Sequence, residues 1–228
     1  MRFIVHEQDY EKPIAAGQFR YDLAGRPTGA VETWRLTQAT EGYEVLRVDL
    51  DARAAVSGHS YLYHLVRRAG SAPERLAYRF WGAGLEIEGT LLFSDTHITG
   101  TRTVNGNVYS EDLDVESGTL FWFPSTIGLG LVLDGKVGTS TAVTLNNQVG
   151  TNNTLALQPV NLTRSMMITD QVEIKIGRQT ALVVPWMLRW QDEVRVISRD
   201  GRGWPVQMER QMVDGGMLTA VETRYIWY

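Results

Sequence analysis

The sequence predicts an all-β protein: a mainly antiparallel curved sheet or open β-barrel of about ten strands, with one or two short helices. Three observations predict this class. Apolar and polar residues alternate with a period of two along most of the chain, as they do in strands with one buried and one exposed face. Turn sequences recur roughly every 8–12 residues, which is typical of barrels and sandwiches. No long stretch shows the periodicity of a helix.

The N-terminal half of the sequence has the pattern of successive hairpins. In the first, Phe19, Tyr21 and Leu23 share one face of a strand, and a turn containing Gly and Pro follows at residues 24–29. The pair Asn105-Gly106 is a strong turn signal, because both residue types accept the positive φ angles of a two-residue hairpin turn. Further turn sequences separate the intervening strands, at residues 41–42, 70–73, 82–84 and 94–96.

The C-terminal half is less regular until its last hairpin. Residues 124–136 are apolar and lack alternation, so they are interpreted either as a short helix that begins at Pro124 or as a buried loop. Alternation returns around a turn at Asp214-Gly215-Gly216. One face of the strand before this turn carries Trp204, Val206, Met208 and Met212, and one face of the returning strand carries Met217, Val221, Tyr225 and Trp227.

Composition limits the possible classes of protein. The chain has 228 residues, 43% of them hydrophobic, and no linker-like segment divides it, so we predict a single β-barrel-like domain over residues 1–228. A net charge of −4 does not favour a nucleic-acid partner. The chain has no cysteine, which excludes disulfides and thiolate metal sites. Because we find neither a signal peptide nor an apolar run of membrane-spanning length, we expect a cytoplasmic protein without an integral membrane segment.

The first strands resemble those of a known bacterial family. Tyr21, Gly25 and Gly29, with Trp34 and Leu36 beyond them, make residues 19–55 similar to the opening of half-barrel proteins, the LolA/LolB-like lipoprotein carriers and glycolipid-binding proteins. The resemblance implies a long antiparallel sheet that curls around an apolar cavity, with the segment after Pro124 as a plug. It implies no catalytic residue.

The candidate binding residues are aromatic. His59, Tyr61 and Tyr63 share one face of the predicted strand 57–68, and each has an apolar body with a polar tip that suits a cavity wall. The chain also contains seven tryptophans, more aromatic volume than a small core needs. The large aromatic residues predicted to line the cavity are Phe80, Trp81, Trp122, Trp186 and Trp190.

No arrangement of residues points to a specific chemistry. His59 and His64 are five residues apart and lie on opposite faces of a strand, so they do not form a metal pair. Glu86 and Glu88 share a face at roughly 6–7 Å, near the separation of glycosidase carboxylates, but such pairs are common on exposed faces. If Arg102 points inward, it could bind an anionic head group. We predict no catalytic residue, no metal and no cofactor.

The expected function is the non-catalytic binding of a lipid-like, apolar or amphipathic small molecule in the cavity. Two alternatives stay open: a barrel enzyme, such as a hydrolase, isomerase or cyclase acting on a hydrophobic substrate through His59, Tyr61 or a buried Glu, and a protein-interaction module with a filled core. The sequence does not determine the oligomeric state.

Overall fold

The chain forms one curved, largely antiparallel sheet that is not closed, so the predicted fold class is confirmed. The computed structural model describes residues 2–56, 58–133, 136–167, 170–176, 179–212 and 215–228, without the side chains of residues 179 and 223–225. The predicted turn residue Asp214 and the side chain of Tyr225 therefore lie outside the described part. The strands are β1 (Lys12–Leu23), β2 (Arg26–Gln38), β3 (Tyr43–Asp51), β4 (Ser60–Arg68), β5 (Pro73–Gly82), β6 (Leu85–Phe93), β7 (His97–Val104), β8 (Asn107–Asp114), β9 (Leu120–Trp122), β10 (Gly138–Leu145), β11 (Leu157–Met166), β12 (Val172–Ile176), β13 (Gln179–Trp190), β14 (Glu193–Asp200), β15 (Pro205–Gln211) and β16 (Met217–Trp227).

The order of strands is nearly sequential. It runs β8-β7-β6-β5-β4-β3-β2-β1-β16-β15-β14-β13-β11-β10-β9, with β12 pairing beside β13. The pairs are antiparallel except β9 with β10. The described residues contain sixteen strands, so the predicted number of about ten was too low. One of the additional strands is β13, which forms despite Pro185 in its sequence.

Among the turns that the structure describes, three hairpins have two-residue turns in which both residues have positive φ. These are Ala24-Gly25, Ala83-Gly84 and the predicted turn Asn105-Gly106. Such turns match the right-handed twist of the strands they join. The Asn105 side chain also connects this turn to the neighbouring hairpin. Its Oδ1 accepts from the amide of Glu86 at 2.7 Å, and its Nδ2 donates to the carbonyl of Gly84 at 3.1 Å. The first turn is shorter than predicted, because Pro27 already lies in β2.

One face of the sheet, here called the inner face, carries most of the buried residues. Cross-strand pairing aligns its side chains in rows, because residues opposite one another point to the same side. One row contains Phe19, Glu32, Leu50, Tyr61, Phe80, Ile87 and Val104. In the next row, the ring of Tyr78 occupies the space that a side chain at Gly89 would need, since a Cβ there would lie 2.3 Å from the Tyr78 ring.

A β-bulge changes the predicted faces of the last strand. The β1–β16 ladder shifts register between Gln18 and Phe19. Before the shift, Glu222 lies opposite the buried Phe19, and Met217 is 39% exposed. After it, Trp227 lies opposite the buried Ala15 and packs against the core. The prediction that Met217 and Val221 share a face with Trp227 was therefore wrong, because an extra residue in one strand moves the following side chains to the other face.

The apolar segment after β9 forms a plug on the inner face. Its centre is the one-turn helix α1 (Thr126–Leu129), which is fully buried and is followed by a 3-10 turn at Gly130–Val132. Ser125 begins the helix, and its hydroxyl accepts from the amide of Gly128 at 2.8 Å. The prediction of either a short helix or a buried loop thus resolves to a short helix.

The loop between β10 and β11, residues 146–156, is called the strap. It extends from strands at the β9 edge of the sheet to strands near the β8 edge. Arg102 of β7 donates to the carbonyl of Asn152 at 2.6 Å, and Tyr78 of β5 donates to that of Leu155 at 3.2 Å. Glu111 of β8 accepts from the amide of Leu157 at 3.2 Å. The strap therefore connects the two sides of the open sheet without pairing as a strand. No helix in the described ranges has the length and hydrophobicity to cross a membrane.

Candidate functional site

A cavity of about 630 Å³ lies between the inner face, the plug and the strap. Its size is within the range of small-molecule sites, about 300–1,000 Å³. Its wall is formed by the ends of β1 and β3, the starts of β4 and β16, part of β15, the turn between β13 and β14, and the first residues of the strap. The cavity therefore opens at one end of the curved sheet.

Aromatic and apolar side chains form one part of the wall. Trp122 and Trp190 pack edge to face with their ring centroids 5.2 Å apart, and both are at least nine-tenths buried. Met208 and Leu129 lie in the same wall and are 5% exposed each. Tyr61 contributes a ring that packs on Phe80 behind it, with centroids 4.8 Å apart. An apolar group in the cavity would therefore contact rigid, well-packed surface.

A charged cluster forms another part of the wall. Glu193 accepts a hydrogen bond from Arg195 through one carboxylate oxygen and one from Arg210 through the other, the latter at 2.6 Å. Arg195 is 5% exposed and its guanidinium lies 5.3 Å from the ring centroid of Trp190. Burial, with the charge of Arg210 beside it, lowers the pKa of Arg195 to about 10 despite the opposing effect of Glu193. The guanidinium stays charged at neutral pH.

A second, fully buried carboxylate fixes the plug under the cavity. Glu32 accepts from the amides of Thr126 and Ile127 at 2.9 and 2.8 Å and from the hydroxyl of Tyr21. The Tyr21 oxygen also lies 2.8 Å from Oγ1 of Thr126. Burial raises the pKa of Glu32 although these hydrogen bonds act against it. Tyr21 and Thr126 line the cavity, so this network shapes its wall.

Two polar aromatic residues at the cavity, His59 and Tyr61, are held in their neutral forms. Burial lowers the pKa of His59. Burial also raises the pKa of Tyr61 to about 12, so its hydroxyl remains protonated at neutral pH. Both side chains can therefore donate or accept hydrogen bonds to a ligand without adding charge.

The predicted binding residues separate into three groups. His59, Tyr61, Trp122 and Trp190 line the cavity. Tyr63 and Phe80 are buried beside it: Tyr63 stacks on Phe123 with centroids 4.4 Å apart, and Phe80 supports Tyr61. Trp81 and Trp186 do not line it. Trp81 points to the other face of β5, where its Nε1 donates to Glu86 at 3.4 Å, and Trp186 is buried under the guanidinium of Arg199, 4.7 Å away.

The other candidate groups have structural partners. Glu88 forms a surface ion pair with Arg79 at 3.7 Å, which favours the exposed-face interpretation of the Glu86 and Glu88 pair. Arg102 does point inward, but it forms a buried ion pair with Glu111 at 2.7 Å and holds the strap. Among the described residues, no group of three or more His, Cys, Asp or Glu side chains is arranged to hold a metal ion.

Sequence reasoning missed the charged cluster. In β14 the more apolar face carries Val194 and Val196, whereas the cavity side carries Glu193 and Arg195. A simple rule that places apolar residues inside chooses the wrong face here. One sequence signal pointed to the correct face of β14. Glu193 and Arg195 share a face with the apolar residue Ile197, and Ile197 is fully buried in the structure.

Comparison of the chain with protein-family models, curated proteins and solved structures finds no match. The resemblance of residues 19–55 to the half-barrel carriers therefore stays a prediction.

Proposed function

We propose that the protein binds an amphipathic small molecule in the cavity and does not transform it. The observation that carries the proposal is the composition of the wall, in which the apolar surface of Trp122, Trp190 and Met208 adjoins the charged side chain of Arg195. Burial of an apolar ligand group contributes roughly 25 cal/mol per Å² before the entropic cost of binding. Polar groups at the other side of the wall would then orient the ligand.

The alternatives receive less support. An interaction module was expected to have a filled interior, whereas this interior holds a ligand-sized cavity. An enzyme needs a titratable group poised for proton transfer. Two groups at this wall are poorly suited to that role: the hydroxyl of Tyr61 has a pKa of about 12, and both oxygens of Glu193 accept from guanidinium groups.

The test is isothermal titration calorimetry of the full chain with a panel of apolar and amphipathic molecules that includes dodecanol and dodecanoate. We expect saturable binding of one molecule per chain. Leu218→Trp adds volume to the wall of the cavity and should weaken binding at least ten-fold, and Tyr61→Ala should also weaken it.

Leu182→Trp provides the matched control, because Leu182 is 52% exposed and lies outside the cavity wall. This variant should bind as the wild type does. The proposal is wrong if no member of the panel saturates, or if Leu218→Trp and Leu182→Trp bind with equal affinity.

A further inference from the structure

We propose that Arg195 and Arg210 together bind the carboxylate of the ligand. The inference rests on the proposed function and adds the chemical class of the ligand: a carboxylic acid with an apolar body. It follows from the charge balance, the unused hydrogen-bond donors and the position of the apolar wall.

The charge balance of the cluster favours an anion. In the part of the chain that the structure describes, two guanidinium groups share the single carboxylate of Glu193, so one positive charge has no ion-pair partner. Arg195 is almost fully buried and shares its carboxylate partner Glu193 with Arg210, so its charge is only partly paired at a site where an unpaired charge is costly. Asp192 also lines the cavity, but it is exposed in the turn between β13 and β14 and forms no ion pair with a described residue. One added negative charge would neutralise the cluster.

The unused hydrogen-bond donors of Arg195 and Arg210 also favour an anionic ligand group. Within the described residues, Arg195 donates only through Nη1, to Glu193 and to the carbonyl of Val194, and Arg210 donates only through Nη2. The remaining N–H groups of both side chains make no hydrogen bond to a described residue, and both side chains line the cavity. Guanidinium groups present paired donors that match the two oxygens of a carboxylate.

The apolar wall fixes the orientation of the ligand. Trp190 packs against both the guanidinium of Arg195 and the ring of Trp122. A carboxylate at the arginines therefore places the atoms attached to it along these two indoles and Met208. His59 and Tyr61, neutral at physiological pH, contribute no charge that would oppose the anion.

The experiment compares four ligands with the same twelve-carbon chain: dodecanoate, dodecanol, dodecyl phosphate and dodecyltrimethylammonium. Affinities are measured by calorimetry at neutral pH. We expect dodecanoate to bind at least ten-fold more tightly than dodecanol, and the ammonium compound to bind most weakly. Since one positive charge is uncompensated, dodecanoate should also bind more tightly than the phosphate.

The variants test which residues carry the preference. Arg195→Gln and Arg210→Gln should each reduce the preference for dodecanoate over dodecanol to less than three-fold. The matched control is Arg189→Gln, which removes the same charge from an exposed position of β13 and should keep the preference. If Arg195→Gln does not fold, Arg210→Gln, whose side chain is 29% exposed in the wild type, still decides the question.

The outcomes separate this inference from the proposed function. Equal binding of dodecanoate and dodecanol would overturn the carboxylate site and leave the binding function standing. A preference that survives in Arg210→Gln, or phosphate binding that exceeds carboxylate binding, would also overturn it. Absence of binding by all four ligands would overturn both.

Discussion

The buried pair of Tyr21 and Glu32 sets the position of the plug. The Tyr21 hydroxyl donates to a carboxylate that is fully buried and receives no guanidinium or ammonium partner among the described residues. Its negative charge is therefore stabilised by hydrogen bonds from Tyr21 and from two amides of the plug. Hydrogen bonds to a charged group contribute about 1.5–3 kcal/mol.

Tyr21→Phe removes one of these bonds and should lower the free energy of unfolding by about 1.5–3 kcal/mol at neutral pH. Because the pKa of Glu32 is raised, its ionisation costs stability as the pH rises through the folded pKa, and loss of the Tyr21 donor increases that cost. The difference between variant and wild type should therefore shrink as the pH falls. Urea denaturation at several pH values measures it. Tyr10→Phe, at a residue that is 59% exposed, is the control and should change little.

His64 makes the stability of the folded protein decrease at acidic pH. It lies half-buried on the outer face of β4, and burial, with the charges of Arg47 and Arg75, lowers its pKa to about 4 although Glu11 acts in the opposite direction. The unfolded chain binds a proton below about pH 6.5, whereas the folded protein resists it until about pH 4. Stability contributed by this residue is therefore lost as the pH falls through that interval.

We expect His64→Gln to flatten the decrease in stability between about pH 6.5 and pH 4 in urea denaturation. His97→Gln offers a comparison of opposite sign. His97 lies 2.5 Å from Asp112 and 2.7 Å from Asp114, and hydrogen bonding to Asp112 raises its pKa. The stability that His97 contributes is present below its pKa in the unfolded chain and is lost as the pH rises through its higher pKa in the folded protein. If stability decreases between about pH 6.5 and pH 4 as steeply in His64→Gln as in the wild type, His64 is not responsible for that decrease.

At the scale of the element, the plug depends on a close approach of its backbone to Phe123, the residue that follows β9. A Cβ at Gly128 would lie 2.4 Å from the carbonyl oxygen of Phe123. Because this oxygen belongs to the backbone, it cannot move away without displacing the chain. Overpacking of this kind costs typically about 1–3 kcal/mol. A side chain at Gly128 would therefore displace α1 from the inner face.

Gly128→Ala should lower the free energy of unfolding by at least about 2 kcal/mol and weaken ligand binding, because Ser125, Thr126 and Leu129 line the cavity. Gly201→Ala is the matched control, since a Cβ at Gly201 meets no atom within 4 Å. Chemical denaturation and calorimetry report the two effects. Equal stability of both variants would show that the plug tolerates displacement.

The β-bulge at Gln18 shows where sequence reasoning about elements stops. Turns such as Asn105-Gly106 were predictable because their geometry is local and depends on two residue types. A bulge leaves no comparable signature, and it reverses the faces of every later residue in the strand. The prediction for β16 consequently failed for Met217, although the hairpin itself exists.

For the whole molecule, alternation was enough to predict the class and the curved sheet, because burial of one face is the dominant energetic requirement. The cavity was predictable in part: the aromatic residues Tyr61 and Trp122 lie in its wall, whereas Trp81 does not. Which face of a strand borders a cavity depends on distant partners. Arg195 lies inside only because β14, β15 and the turn after β13 place Arg210 and Glu193 beside it.

The pairing of β1 with β16 imposes an order on folding. The strands from β1 to β8 pair with their neighbours in sequence, so they can form through short-range contacts. The β1–β16 ladder instead joins residues as distant as Ala15 and Trp227, and closing so long a loop costs conformational entropy. During synthesis the edge of β1 therefore stays unpaired until the last hairpin has left the ribosome. In that interval its free amides and carbonyls are a site for aggregation, and the speed with which the final hairpin docks decides how long the nascent chain is exposed to it.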